Sequence, residues 1–155
     1  MITIQKITQP AEKESTCNEI LRALPDWFGV EDSIVAYVKQ VQRLPFWAAF
    51  ADSKAIGFAA LKTHNAFTAE ICVMGIQTMY QRQGIGRKLL DCCETHCREY
   101  GMEFLTVKTL DESRECENYR ATRQFYLLAG FKPLEVFPLF WDKENPCLFL
   151  AKYIG

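Results

Sequence analysis

The sequence has no surplus of positive charge: 18 Lys and Arg stand against 19 Asp and Glu, a formal net charge of −1. Holding nucleic acid by phosphate neutralisation needs a basic field, so no nucleic-acid partner is expected. No apolar run approaches the roughly 18 residues of a membrane span. The N-terminal MITIQKITQP alternates apolar and polar residues where a signal peptide would carry a continuous apolar segment. A soluble, cytoplasmic protein without a membrane partner is therefore expected. Gly/Ser linkers, internal repeats and low-complexity tracts are absent, and 155 residues at 49% hydrophobic content read as a single domain over 1–155.

Metal-ligand arithmetic also falls short. In DCCETHC, Asp91 to Cys97, Cys92 with His96 and Cys93 with Cys97 are spaced i, i+4 on a helix. No second pair of CxxC or HxxxH type exists to complete four ligands, and no metal is expected. Cys93 and Cys97 lie in an apolar stripe and read as small buried hydrophobes. The seven cysteines are odd in number and scattered, unlike a disulfide framework, so most should be reduced thiols. A thiol nucleophile paired with His64 or His96 has no local signature to support it.

What is present is a regular alternation of elements. After a first strand, Pro10 opens a helix with Glu12 and Glu14 in its first turn, where acids suit the macrodipole. Ile34, Val35, Val38 and Val41 give a second helix from about Glu31 to Gln42. PFWAAFA and AIGFAALK flank Asp52-Ser53-Lys54 as an antiparallel hairpin. His64-Asn65 marks the next turn and TAEICVMGI the fourth strand. A third helix runs from Gly84 to Tyr100 with Gly101 as its left-handed cap. EFLTVKTL forms a strand, DESRECEN a loop, and YRATRQFYLLAG a helix ending at Gly130. FKPLEVF and CLFLAKYI close the chain as strands joined by PLFWDKENP. This order predicts an α/β (α+β) fold, a mixed sheet with helices on both faces.

The stretch QRQGIGRKLL, Gln81 to Leu90, lies between a strand and a helix N-terminus, where unpaired backbone N–H groups and the positive dipole end can receive an anion. Gly84 and Gly86 permit close approach of a ligand, and Arg82, Arg87 and Lys88 add positive charge at the rim, which suits a phosphate or pyrophosphate. A tight connection with solvated charges is the alternative. The dinucleotide fingerprint fails because Leu89 occupies its third small position. A Walker loop fails because Gly86 is followed by arginine.

The pattern Gln81-x-x-Gly84-x-Gly86 resembles the [QR]-x-x-G-x-[GA] pyrophosphate loop of the GNAT superfamily of acyl-CoA-dependent N-acetyltransferases. TAEICVMGI resembles that family's fourth strand and FYLLAGF, Phe125 to Phe131, its later helix-to-strand signature. The resemblance covers essentially the whole chain. It implies a mostly antiparallel sheet of about seven strands, with strands four and five splayed around the pantetheine arm of acetyl-CoA.

By that resemblance, backbone groups of Met74, Gly75 and Ile76 pair with the pantetheine. Gln81, Arg82, Gln83, Gly84, Ile85, Gly86 and Arg87 surround the pyrophosphate. A glycine inside a strand often marks a close backbone approach, which fits Gly75; packing between sheet and helix is the other reading. Acetyl transfer from a thioester to an amine needs one proton removed and one supplied. Tyr126 stands at the family's acid position. Glu70, in the run Ala69-Glu70-Ile71, resembles the base of the histone-acetyltransferase branch. Each has a plainer alternative, a core tyrosine and an outward strand-end glutamate. Many members carry an asparagine seven residues before the tyrosine. This chain has Tyr119 there and Asn118 one position earlier, so that cofactor contact is not carried over.

The resemblance builds the acceptor site from LPDWFGVEDS and PLFWDKENP. Trp27, Phe28 and Trp141, with Asp26, Glu31, Asp32 and Asp142, offer cation-π contacts and ion pairs to an amine. Ordinary loop composition explains the same residues. The implied function is acetyl transfer from acetyl-CoA to a small-molecule amine, or to a lysine or N-terminal amine of a protein, by direct attack in a ternary complex. A homodimer is left open. The competing reading is a non-catalytic acyl-CoA-binding or regulatory module.

Overall fold

Pro10 opens the first helix, and the remaining elements alternate as their periodicity dictates. The computed structural model describes residues 1–155. Its elements are β1 (Ile2–Ile7), α1 (Pro10–Arg22), α2 (Glu31–Gln40), β2 (Phe46–Ala51), β3 (Lys54–Thr63), β4 (Thr68–Ile76), α3 (Ile85–Glu99), β5 (Phe104–Leu110), α4 (Glu117–Leu128), β6 (Lys132–Asp142) and β7 (Asn145–Tyr153). The seven strands form one sheet in the order β1-β2-β3-β4-β5-β7-β6. It is mostly antiparallel, with β4 and β5 parallel, and four helices complete the expected mixed α/β architecture. No helix is long and apolar enough to cross a membrane.

The chain divides into two compact units, one of Met1–Lys62 with Ile71–His96 and one of Thr63–Glu70 with Cys97–Gly155. The core of the first is built by Cys17, Ile20, Leu21 and Leu24 at helical spacing on α1. Phe46 and Ala48 of β2, Phe58 and Ala60 of β3, and Val73 of β4 also enter it. The Phe46 and Phe58 rings stack with centroids 5.1 Å apart. β2 and β3 turn through Asp52 and Ser53, both at positive φ (48° and 73°), the signature of a two-residue hairpin turn whose twist matches its strands.

Two boundaries differ from expectation. α2 stops at Gln40 and tightens into a 3-10 turn over Val41–Arg43. Pro45 ends the helical backbone after Arg43, because it disfavours that conformation in the residue before it; Leu44 is extended at φ −101°, ψ 149°. PLFWDKENP is not simply a loop, because β6 runs on to Asp142. The register jumps from Phe137↔Cys147 to Asp142↔Asn145, so Pro138 to Trp141 bulge from the β6–β7 ladder.

In the second unit, β7 pairs antiparallel with both β5 and β6. α4 ends in a Schellman closure: Phe131 N–H donates to the Tyr126 carbonyl at 3.0 Å and Gly130 N–H to Leu127 at 3.1 Å. Gly130 has φ +101°. The Phe131 ring meets the Tyr126 ring edge-on at 5.4 Å, the apolar contact that accompanies this closure. Gly130 and the Tyr126–Phe131 ring pair of FYLLAGF thus serve this closure. Gly130→Ala is expected to lower stability by about 1–2 kcal/mol, the cost of a β-carbon in left-handed backbone. Urea unfolding should show a lower midpoint at unchanged slope.

Candidate active site

The loop after β4 is anchored before it reaches α3. The Gln81 side-chain amide donates to the Ile76 carbonyl at 2.9 Å, tying the start of the loop to the end of the strand. Thr78–Tyr80 form a 3-10 turn, and Gln83 Nε2 donates to the Met79 carbonyl at 3.1 Å. Arg82 and Gly84 both take positive φ, 62° and 80°. These dihedrals reverse the chain into α3, whose first bond runs from Lys88 N–H to the Gly84 carbonyl at 3.1 Å. The N–H groups of Ile85, Gly86 and Arg87 therefore lie in the first turn, where a helix offers donors without intrahelical partners. A β-carbon added at Gly84 would meet no atom within 4 Å, so this face of the loop is open. Gly86 is buried, Arg82, Arg87 and Lys88 are exposed, and Arg87 Nε donates to Asp91 Oδ1 at 3.2 Å.

Gly75 answers first to packing. Its added β-carbon would lie 3.1 Å from Leu24 Cδ1 and 3.3 Å from Ile20 Cγ2 of α1. The glycine is accounted for by the closeness of helix and strand, so its presence in β4 carries no independent message about a ligand. Ile76 spends its carbonyl on Gln81. Met74 is half-buried on the same strand.

Glu70 is not an outward strand-end carboxylate. It is 8% exposed, and both its oxygens accept from Lys108 Nζ of β5, at 3.0 and 2.9 Å. His64, in the β3–β4 turn, places Nε2 2.6 Å from Oε1. The Lys108 ammonium also lies over the rings of Phe140 and Phe149, at 5.1 and 5.7 Å. The carboxylate thus accepts from an ammonium on both oxygens and meets an imidazole on one of them. His64 and Lys108 are the residues that sequence reasoning missed here. A lysine inside the largely buried strand FLTVKTL was the available signal, since a buried ammonium requires a counter-charge.

Tyr126 is 5% exposed on α4, its ring edge-on to Phe125 and Phe131. At the expected asparagine position, burial pushes the Tyr119 phenol up to about 12. Trp27 and Phe28 are half-buried against the core of the first unit, with Phe28 edge-on to Tyr37 at 6.1 Å. Trp141 belongs to the second unit, where it is 43% exposed and packs edge-on against Phe140 at 6.1 Å. Of the acids near these aromatics, Glu31 is bridged by Arg22 at 2.6 Å, and Asp142 accepts from Asn145 at 2.9 and 3.0 Å. Both carboxyls are held below the usual range, chiefly by those hydrogen bonds.

All seven cysteines are free thiols. Burial pushes Cys17 up to about 12 and Cys147 up to about 11, and raises Cys92 as well. Cys93 and Cys97 are buried on α3. His96 sits edge-on to Trp47 at 5.2 Å. No group of three or more His, Cys, Asp or Glu side chains is arranged to hold a metal ion.

Residues 13–131 match the model of the acetyltransferase (GNAT) family. The chain belongs to that family of acetyltransferases. Solved structures share the fold at low identity. A putative GNAT acetyltransferase from Desulfovibrio desulfuricans superposes with a TM-score of 0.82 at 18% identity, over 100% of both chains. The ribosomal-protein-S18-alanine N-acetyltransferase of Escherichia coli gives 0.79 at 18% identity, over 100% of this chain and 95% of that one. PaiA N-acetyltransferase from Thermoplasma acidophilum, solved with coenzyme A, gives 0.74 at 21% identity, over 99% of each. Comparison of the sequence with curated proteins returns no match.

The packing account of Gly75 makes a direct prediction. Gly75→Ala should lower stability by about 1–3 kcal/mol through overpacking against Ile20 and Leu24. A thermal melt at the wild-type midpoint would show that α1 yields freely and that another constraint keeps glycine there.

Proposed function

We propose that this protein transfers an acetyl group from acetyl-CoA to a primary amine by direct attack, with residues 1–155 working as one N-acetyltransferase domain. The observation that carries the reading is the loop Gln81 to Arg87. It is pinned to β4, opens at Gly84 and leads into the donor-rich first turn of α3. This cradle suits a pyrophosphate, and Arg82, Arg87 and Lys88 supply charge around it. Coenzyme A in the T. acidophilum relative supports the same ligand. When bound, acetyl-CoA supplies an activated acetyl thioester. Met74, Gly75 and Ile76 would hold its pantetheine arm, Ile76 through its N–H because its carbonyl is taken.

Tyr126 is the proposed acid. Its phenol would protonate the departing thiolate, with the ring fixed by Phe125 and Phe131. Proton removal is assigned to the neighbourhood of Glu70, where His64 and Lys108 share the carboxylate. Trp27, Phe28 and Trp141 are proposed acceptor contacts. The acceptor is a small-molecule amine or a lysine or N-terminal amine of a protein; relatives are named for aminoglycosides and for a ribosomal protein. A cytoplasmic setting fits the seven free thiols. The Schellman contact of Tyr126 with Phe131 accounts for an aromatic ring at this position without chemistry. That favours, as a second reading, a non-catalytic acyl-CoA-binding module.

Gly84→Asn tests the loop, because asparagine tolerates left-handed backbone and would project a side chain into the open space. Calorimetry should show at least about tenfold weaker acetyl-CoA binding, about 1.4 kcal/mol, in a folded variant. Unchanged affinity would reduce the loop to a connection. Tyr126→Phe keeps the ring and removes the hydroxyl. Acetyl-CoA affinity should hold while thiol release with an amine acceptor falls about 10²- to 10⁴-fold. Equal turnover would remove the acid role, and no wild-type turnover with any amine would favour the binding module.

A further inference from the structure

We infer that His64, and not Glu70, removes the proton from the acceptor amine, with Glu70 as the carboxylate that orients its imidazole. The inference rests on the acetyltransferase reading above and names the proton acceptor within it. Three side chains from successive elements meet in the second unit: His64 of the β3–β4 turn, Glu70 of β4 and Lys108 of β5. Lys108 Nζ bonds both Glu70 oxygens, and His64 Nε2 lies 2.6 Å from Oε1. Oε1 therefore serves two partners, and Glu70 is buried. To act as a base it would have to give up bonds to an ammonium in a poorly solvated site.

The imidazole is differently placed. Against an ionised carboxylate, Nε2 carries the hydrogen and donates, which assigns the lone pair to Nδ1. The side chain is 35% exposed, so the ring borders solvent while its far nitrogen is anchored. The titratable and charged groups around it are Glu70 from β4, Lys108 from β5 and, behind them on β7, Cys147. Burial holds the Cys147 thiol protonated at about 11. Phe140 of β6 and Phe149 of β7 confine the Lys108 ammonium. Lys108 Nζ bonds both Glu70 oxygens, so the carboxylate faces an ammonium on one side and the ring on the other. In the step itself, an N–H bond of the acceptor ammonium breaks and Nδ1–H forms. The freed nitrogen lone pair becomes the nucleophile, and the imidazolium, paired with Glu70, returns its proton to solvent.

The structural half of the inference can be read without an acceptor, by two-bond ¹H–¹⁵N correlation on the labelled full-length chain. There are two histidines, and His64→Gln assigns the signals. His64 should show the Nε2–H tautomer with Nδ1 bare, and Glu70→Gln should shift it toward a tautomer mixture. An Nδ1–H tautomer, or signals indifferent to Glu70→Gln, would overturn the inference. The kinetic half is thiol release with acetyl-CoA and an amine panel. His64→Gln should lower kcat about 10²-fold near neutral pH with the KM for acetyl-CoA unchanged, and the loss should shrink as pH rises and the amine deprotonates unaided. Lys108→Met should move the acid limb of the kcat profile to higher pH, because it leaves an unbalanced carboxylate beside the ring. A pH-dependent loss in Glu70→Gln with His64→Gln unaffected would make Glu70 the base and sink the proposal. No thiol release by the wild type would count against acetyl transfer itself, while the tautomer still decides whether Glu70 orients His64.

Discussion

A carboxylate taken out of water has to be matched by charge, and the second unit is organised around that requirement at Glu70. Its partners come from elements far apart in sequence: Lys108 is 38 residues away and His64 lies across a turn. Breaking a buried ion pair by deleting one member costs about 3–5 kcal/mol, toward the lower end where, as at Lys108, some solvent reaches the ammonium. The pair thus ties the register of β5 to the start of β4. It also explains the aromatic wall, since Phe140 and Phe149 cover the ammonium and add cation-π attraction where water would otherwise screen it. The bulge from Pro138 to Trp141 gains a reason as well. A regular β6 ladder would alternate Phe137 and Phe140 to opposite faces, whereas here the two rings pack together at 6.3 Å.

The first unit depends on a different closeness. α1 approaches β4 until a β-carbon at position 75 would crowd Leu24 and Ile20. On the strand end beyond it, Ile76 uses its carbonyl to hold Gln81 and so the head of the loop. Sequence, packing and candidate chemistry meet over this short stretch: a glycine selected by a helix, a glutamine that anchors, and two positive-φ residues that aim a helix N-terminus into open space.

Local features were legible and distant ones were not. The hairpin turn at Asp52-Ser53, the caps at Gly101 and Gly130 and the stripe of α3 all follow from backbone rules that act within a few residues. The Gly101 closure even shows its expected 2.9 Å bond from Met102 N–H to the Cys97 carbonyl. The Gln81–Gly86 motif, TAEICVMGI and FYLLAGF are likewise short local patterns, and together they carry the resemblance to the family to which the chain belongs. Periodicity could not say that Glu70 meets Lys108, because strand pairing between β4 and β5 is a tertiary choice. It could not say that Gly75 is filled from behind by Leu24. After α2 a local rule was available as well: Pro45 sets Leu44 extended, so no helical backbone continues past Arg43.

The thiols bear on the order of events in the proposed reaction. A covalent route would need a cysteine that is readily a thiolate, because the thiolate is the nucleophile. Cys17, Cys92 and Cys147 are all shifted the other way by burial, and at Cys147 burial outweighs the pull of Lys108 toward the thiolate, with Glu70 adding a smaller push upward. Burial therefore disfavours the thiolate at all three positions and leaves none of them an activated sulfur nucleophile. The proposed route is accordingly direct attack by the acceptor amine, with the protein contributing proton transfer and positioning.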